Sequence, residues 1–362
     1  MLPPLRVWIA TPLGKDGRGG IDRLNDSIVQ SIAAQPELNV GVTRLVTRGQ
    51  KGLFAAQFIF AYSLVRLAIS ARLGRVDLLH IHLALRGSSY RKSVVGAVAR
   101  FLGVPYIVHL HGFDFGDFWS NTNRFAASGI DRLFLHSARI IVMGQYWADV
   151  ITERLPGVAG KIDLLPNATP AASLPQIPGM DQRVRSTFLG ELGARKGSFD
   201  LVRAFGRLAQ RRDWTATMAG DGEIDETRKA VRRLHIADRV NVPGWLDLSA
   251  RDELLRATDI LVLPSTAENL PMVIVEAFAR GIAVISTPVG AIPAVIDHER
   301  NGLLVPVGDI EKLAEALERL IADAPLRLRL GAAAQRDHAS RYEFGQYIKH
   351  LVAIWRSVVA VN

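Results

Sequence analysis

The chain has 362 residues, 49% of them hydrophobic, which is more than a single core usually holds and points to two globular domains. A formal charge of +9 suggests an anionic partner, with nucleic acid, lipid headgroups and phosphorylated substrates all allowed. There is no cysteine, which excludes a disulfide framework and Cys-built zinc sites and fits a cytosolic setting.

Leu5 to Thr11 reads as a strand that begins almost at once, so no secretory signal is expected. A loop with Gly14, Gly17, Gly19 and Gly20 follows, then a helix with Ile21, Leu24, Ile28 and Ile32 at helical spacing. Both G-x-G-x-x-G and G-K-[ST] are missing, so this is neither a dinucleotide fingerprint nor a P-loop. A glycine-rich turn between strand and helix still lets the backbone approach a phosphate. The most hydrophobic segment, Leu53 to Ile69, carries Gln57, Ser63 and Arg66. It is too short and polar for a membrane span, and an amphipathic surface or core helix is expected.

Strands are expected at Val40 to Thr47, Val76 to His82, Pro105 to His109 and Arg139 to Met143, with helices near Ser88 to Leu102, Asn121 to His136 and Gln145 to Arg154. His80 and His82, then His109 and His111, collect at two strand ends. Residues two apart share one side of a strand, so a metal site is conceivable. No HExxH and no carboxylate at ligand spacing accompanies them, and no metal is expected. Arg86 to Ser93, RGSSYRKS, opens a helix at the same sheet end. Arg91 and Lys92 there oppose the helix dipole, so they are read either as binders of an acceptor's phosphate or as a solvated surface.

Four prolines between Pro166 and Pro178 mark a semi-rigid connector without periodicity. The second domain restarts with a strand, Arg183 to Gly190, then LGARKG and a helix from Ser198 to Gln210. A strand from Trp214 to Ala219, a basic helix and a strand from Val240 to Pro243 follow, the last leading into Gly244 and Trp245. Asn301-Gly302 makes a turn before Leu303 to Pro306. Helices are expected at Asp309 to Ile321, Pro325 to His338 and Tyr342 to Val359.

Asp259 to Gly290 organises this half. Two branched apolar runs, Asp259 to Leu263 and Ile282 to Thr287, suit buried parallel strands. Between them Pro264 to Leu270 is a polar turn, and a helix opens at Pro271 and closes at Gly281. That helix is apolar on every side except Glu276, whose costly carboxylate needs a partner, expected to be a ligand. The ligand crevice of such a unit lies at the carboxyl ends of the strands, beside the helix N-terminus. Amides around Leu270 to Val273 make an anion site there, except at Pro271. Glu276 then stands about where ribose hydroxyls need an acceptor, Glu268 lies on the other side of the phosphate, and the two bracket a nucleotide diphosphate.

The pattern S-x-x-E-N-L-P-x-x-x-x-E-A-x-A-x-G around Glu268 and Glu276 resembles the paired-glutamate signature of glycosyltransferase family 4. The resemblance implies a GT-B fold, an α/β architecture of two Rossmann-like, doubly wound parallel-sheet domains facing a central cleft. The expected domains are 1–167 for the acceptor, a linker at 168–182, 183–340 for the nucleotide sugar, and a helix at 341–362 crossing back to the first domain. It implies a retaining hexosyltransferase without metal, acting on a nucleoside-diphosphate sugar and a lipid-linked or glycan acceptor in extracellular polysaccharide, capsule or lipid-linked oligosaccharide assembly. Nucleic acid is then not a partner. The location would be cytoplasmic, with peripheral contact to an anionic membrane.

Residue by residue, the resemblance places Gly19 and Gly20 over the donor phosphates and His111 on the donor sugar or acceptor. Asn167 in LLPN ends the first domain, and Gly244 opens the base-binding loop. Asn269, Leu270, Met272 and Glu276 hold the donor, and Glu268 positions the sugar without acting as a nucleophile. In G-R-L-x-x-x-K-G the arginine and lysine hold the diphosphate; here Lys196 matches the lysine while Glu191 replaces the arginine, so Arg195 is expected to supply the missing charge. Two other readings are a nucleotide-sugar epimerase or hydrolase and a catalytically silent nucleotide-sugar-binding protein, the latter favoured by Glu191.

Overall fold

The computed structural model describes residues 3–15, 20–50, 52–177 and 183–360. Contacts divide the chain into two units, Met1–Pro166 with Gly345–Asn362, and Asn167–Phe344.

Unit 1 runs β1 (Leu5–Thr11), α1 (Gly20–Ala33), β2 (Val40–Val46), α2 (Leu53–Arg72), β3 (Leu78–Leu83), α3 (Gly87–Phe101), β4 (Tyr106–Leu110), α4 (Phe115–Asn121), α5 (Arg124–Leu135), β5 (Arg139–Val142), α6 (Gln145–Arg154) and β6 (Ile162–Leu164). Its sheet has the order β2-β1-β3-β4-β5-β6, and each pair is parallel. β3 and β4 are buried along their whole length, as strands covered by helices on both faces must be. One long helix was expected from Asn121 to His136. Instead Thr122 turns extended and the Asn123 side chain accepts from the Ala126 amide at 3.0 Å, starting a new helix.

Unit 2 runs β7 (Val184–Leu189), α7 (Ser198–Arg207), β8 (Trp214–Ala219), α8 (Ile224–Arg233), β9 (Val240–Gly244), α9 (Leu248–Arg256), β10 (Ile260–Leu263), α10 (Met272–Ala279), β11 (Ala283–Ser286), β12 (Leu303–Leu304), α11 (Ile310–Ala322) and α12 (Ala324–Asp337). The sheet order is β12-β11-β10-β7-β8-β9, again parallel throughout. The sequence reading passed over α9, although Asp247 caps it by accepting from the Ala250 amide at 2.8 Å.

A π-turn at His338–Tyr342 precedes α13 (Phe344–Val359), whose Gly345 onward belongs to unit 1. There Trp355 is fully buried and its Nε1 donates to His80 Nδ1 at 3.3 Å. The stretch expected as a connector, 168–182, falls within unit 2 by its contacts, and the Ile177 amide donates to the Arg256 carbonyl at 2.8 Å. Thr169 is buried and bridges Glu343 in unit 2, so unit 2 includes Asn167 to Thr169.

Candidate active site

In unit 2 the predicted donor residues gather at one edge of the sheet, because parallel strands send their carboxyl ends the same way. The loop after β7 holds Arg195 and Lys196; the loop after β10 holds Glu268, Asn269 and Leu270. Both loops are built on close backbone approach. A Cβ at Gly197 would stand 2.0 Å from the Pro264 carbonyl oxygen, and one at Gly290 would stand 2.0 Å from that of Glu268. Gly197 and Gly290 also have φ of +69° and +57°, where glycine is favoured. The Thr266 amide donates to the Arg195 carbonyl at 2.8 Å, fastening one loop to the other.

The charges then meet. Glu268, 8% exposed, forms an ion pair with Lys196 Nζ and a longer one with Arg195 at 3.3 Å. Arg195 reaches on to Glu191 at 2.7 Å. So Glu191, which stands where the resembled pattern has arginine, holds the guanidinium expected to compensate for it. Beside these groups α10 begins. Its N-cap is Pro271, which offers no side-chain cap, and the amides of Met272 and Val273 have no acceptor within the helix. Leu270 is fixed from behind, since the buried Asn167 side chain donates to its carbonyl at 2.8 Å. That gives Asn167 a role in unit 2 that the sequence reading did not foresee. Gly244 lies at the end of β9, its carbonyl accepting from the Gly220 amide at 2.9 Å, and Trp245 next to it is 57% exposed.

Glu276 differs from expectation. Its partner is Arg251 of α9, in a short ion pair between side chains that are 17% and 21% exposed. The carboxylate that seemed to need a ligand already has a cation, because an unforeseen helix supplies one.

Unit 1 departs further. Lys92, read as an acceptor contact or a solvated cation, is fully buried. Its Nζ donates to the Ala10 carbonyl at 2.6 Å and to Thr47 Oγ1 at 3.0 Å, pinning β1 to the end of β2. Burial, then the Arg91 charge, pushes its ammonium well below the usual lysine range. Lys92 is therefore a structural pin and is closed to an acceptor. Arg91 is half-buried, and among the described residues it has no carboxylate partner. Burial, then the neighbouring Arg48, lowers its pKa. Asp22, which the sequence reading did not single out, accepts from Thr11 Oγ1 at 2.6 Å and from the Leu13 and Gly14 amides at 3.1 and 3.2 Å. It shapes the start of the glycine loop. Gly20 is the first residue of α1, and Gly19 lies outside the described residues.

The histidines form one stack. His80, His82 and His109 are fully buried, and their nitrogens lie within 4.8 Å of one another. His82 Nδ1 is 2.7 Å from His111 Nε2, and His80 Nε2 is 3.3 Å from His109 Nδ1. The His80 and His82 rings lie face to face, 4.3 Å apart at 21°. One nitrogen from each of His80, His82 and His109 is close enough to the others to share an ion, while the ring contacts of His80 with His109 and of His82 with His111 occupy nitrogens among themselves. Burial lowers His80 and His111 to about 3 and takes His82 and His109 well below the ordinary imidazole value. His111 thus stands at the end of β4 as a neutral hydrogen-bonding group.

Family models agree with this layout. Residues 19–168 match the glycosyl transferase 4-like domain and residues 183–323 match the glycosyl transferases group 1 model. A 2-deoxystreptamine N-acetyl-D-glucosaminyltransferase of Streptomyces fradiae is 27% identical over 90% of this chain and 80% of its own. The N-acetyl-alpha-D-glucosaminyl L-malate synthase of Bacillus anthracis is 33% identical over a shorter stretch, 44% of this chain and 42% of that one. Among solved structures, Anabaena HepE in complex with UDP and glucose superposes with a TM-score of 0.77 at 19% identity, covering 98% of this chain and all of that one. Sucrose-phosphate synthase from Thermosynechococcus elongatus gives the same TM-score at 18% identity over the whole of both chains. With two parallel-sheet units, matched family models over both, and relatives that are sugar transferases, the chain is a hexosyltransferase of glycosyltransferase family 4 with the GT-B fold.

Proposed function

We propose that the enzyme moves a sugar from a nucleoside diphosphate to an acceptor hydroxyl with retained configuration. The observation that carries this is the meeting of Lys196, Arg195 and Glu268 at one strand edge beside the open N-terminus of α10. A bound diphosphate would take over the two cations and the Met272 and Val273 amides, releasing Glu268 to accept from a sugar hydroxyl. Glu276, held by Arg251, would receive the ribose, and Gly244 would open the base loop. The bond from the anomeric carbon to the phosphate oxygen breaks, and the acceptor oxygen bonds to that carbon from the same face. The acceptor's proton passes to the departing phosphate, which leaves with the bonding pair. Fixed cations and amides stabilise the charge as it develops, so no divalent metal enters the proposal. A double displacement would need two carboxylates about 5–5.5 Å apart across the anomeric carbon.

On the acceptor side, His111 and Arg91 remain in the proposal, with Arg48 in place of Lys92. Two guanidiniums near one another, with no carboxylate on Arg91 among the described residues, make a seat for an anionic group such as an acceptor's phosphate. An acceptor of lipid-linked or glycan type, in cell-envelope polysaccharide assembly in the cytoplasm, is the setting we propose. HepE was solved with UDP and with UDP-glucose, which supports a nucleotide-sugar donor of this kind.

The experiment is a panel of nucleotide sugars offered with and without membrane extract, in EDTA and with magnesium. One donor should be consumed only with extract, in EDTA as well, and the product should keep its anomeric configuration. Donor turnover without acceptor would replace this reading with a hydrolase or epimerase. Binding without turnover would favour a silent binding protein, the reading that the Glu191–Arg195 pair supports. Activity lost in EDTA and restored by magnesium would return the histidine stack to consideration.

A further inference from the structure

α2 is apolar on both faces, and among the described residues only one of them is covered. Ala56, Ser63 and Leu67 are buried, and Ser63 Oγ donates to the Val46 carbonyl at 2.5 Å, so the inner face lies along β2. On the outer face Phe54, Phe58, Tyr62, Val65 and Ile69, with Leu73 just past the helix, are between 55% and 78% exposed. Their spacing of four, four, three, four and four residues draws a single stripe along the helix. The three rings alone leave roughly 300–500 Å² of aromatic surface uncovered. That matches the largest patch on an ordinary monomer, about 300–600 Å², before the aliphatic side chains are added. In length and composition the segment Phe54–Arg72 would suffice to cross a membrane. Ser63, Leu67 and Arg66, which stacks on Trp8, hold it flat on its own sheet.

Charge identifies the occupant. From Leu38 to Val76 the sequence has Arg44, Arg48, Lys51, Arg66, Arg72 and Arg75 and no aspartate or glutamate. Arg44 pairs with Asp26, while Arg48, Arg72 and Arg75 are exposed near the two ends of the stripe. A second copy docking by the same face would bring like charges together. An anionic lipid surface offers acyl chains to the stripe and headgroups to the arginines.

We propose that the outer face of α2 seats the enzyme in the plane of an anionic bilayer. This goes beyond the sugar-transfer reading and does not depend on it, because lipid binding can be measured without donor or acceptor.

The chain has no cysteine, so Phe58→Cys gives one site for an environment-sensitive fluorophore, and Leu328→Cys, at a residue 71% exposed in unit 2, gives a control. Full-length protein is mixed with vesicles of phosphatidylcholine alone or with 30 mol% phosphatidylglycerol. The label at 58 should shift to the blue and brighten several-fold on the anionic vesicles, and the label at 328 should not. Unlabelled protein should float with the anionic vesicles. The variant Phe54→Ser/Phe58→Ser/Ile69→Ser should lose at least tenfold in affinity, with its melting temperature kept. Arg72→Gln/Arg75→Gln should abolish the preference for anionic lipid. Equal flotation of wild type and the triple variant, or no flotation on anionic vesicles, overturns the proposal. A lipid-independent dimer that the triple variant dissolves also overturns it, and assigns the face to a second copy.

Discussion

The two units share a six-stranded parallel architecture but treat charge at their strand ends in opposite ways. Unit 2 keeps ions. Lys196, Arg195, Glu268 and Glu191 form a chain of partly exposed ion pairs whose members can change partners. Unit 1 suppresses them. Three imidazoles and the Lys92 amine are packed out of water, and the half-buried His111 adjoins them. All five are held below their ordinary pKa values, and their contacts go to one another, to Trp355, to Thr47 and to backbone. The same fold can therefore offer a responsive electrostatic site on one sheet and a fixed, largely buried polar wall on the other. Replaceable ion pairs suit a polyanion that comes and goes. Buried neutral groups suit a surface that must not move.

Acid should break this contrast most strongly. An imidazole depressed in the folded state binds fewer protons there than in the unfolded chain, so its stabilisation is full above about pH 6.5 and is lost as pH falls toward 3. Each fully coupled histidine removes about 1.4 kcal/mol per pH unit below that point. Unit 1 has four such groups and unit 2 has His338, also lowered by burial, so unit 1 should open first between pH 6.5 and 5. Hydrogen exchange read separately for each unit checks this, and equal loss of protection in both would refute it.

Exchanging the two lysines should sharpen the comparison. Lys92→Ala leaves a cavity and takes a buried partner from Thr47 and the Ala10 carbonyl, and should cost about 2–5 kcal/mol of stability, seen in urea unfolding. Lys196→Ala should leave the melting temperature within a few degrees and lower turnover about 10²–10³-fold, since in the proposed reaction the lost charge would face the leaving group. Arg195→Ala should cost turnover no more than Lys196→Ala does.

A milder effect is expected at Glu276. Changing it to Gln weakens a charge-assisted contact worth about 1.5–3 kcal/mol, so free nucleotide should bind at least tenfold more weakly by calorimetry. Unchanged affinity would remove the ribose assignment. Smallest of all should be Glu191→Gln. Its pair with Arg195 is largely exposed on the Glu191 side and worth at most about 1 kcal/mol, so donor affinity should rise by no more than about fivefold. A loss of donor affinity would mean that Glu191 positions Arg195 usefully.

Most of the strands and helices could be read in advance, because buried parallel strands are near-continuous apolar runs and their helices have clear caps. Trp214 to Ala219 and Gln145 to Arg154 fall where the pattern put them. The meeting of the loops after β7 and β10 was legible in part from Gly197, because a Cβ there would strike the Pro264 carbonyl. What escaped was pairing between distant segments. Nothing local to Glu276 announces Arg251, 25 residues earlier on a helix marked only by its Asp247 cap. Lys92 was misread for a different reason. Ser89, Lys92, Val95 and Ala99 are buried at helical spacing, and that stripe was the available signal. The basic character of Arg91-Lys92 hid it.

Unit 2 is a contiguous stretch, 167–344, set between two pieces of unit 1. Trp355 must reach His80 across 275 residues before the histidine stack has its full cover. During vectorial synthesis at about 5–20 residues per second, the ribosome spends roughly 14–55 s between those two residues. For that interval the first half of unit 1 waits with an open seam while unit 2 emerges and can fold whole. The order of assembly is thereby imposed by chain connectivity: the domain made second is finished first, and the last helix closes the domain that was begun at the start.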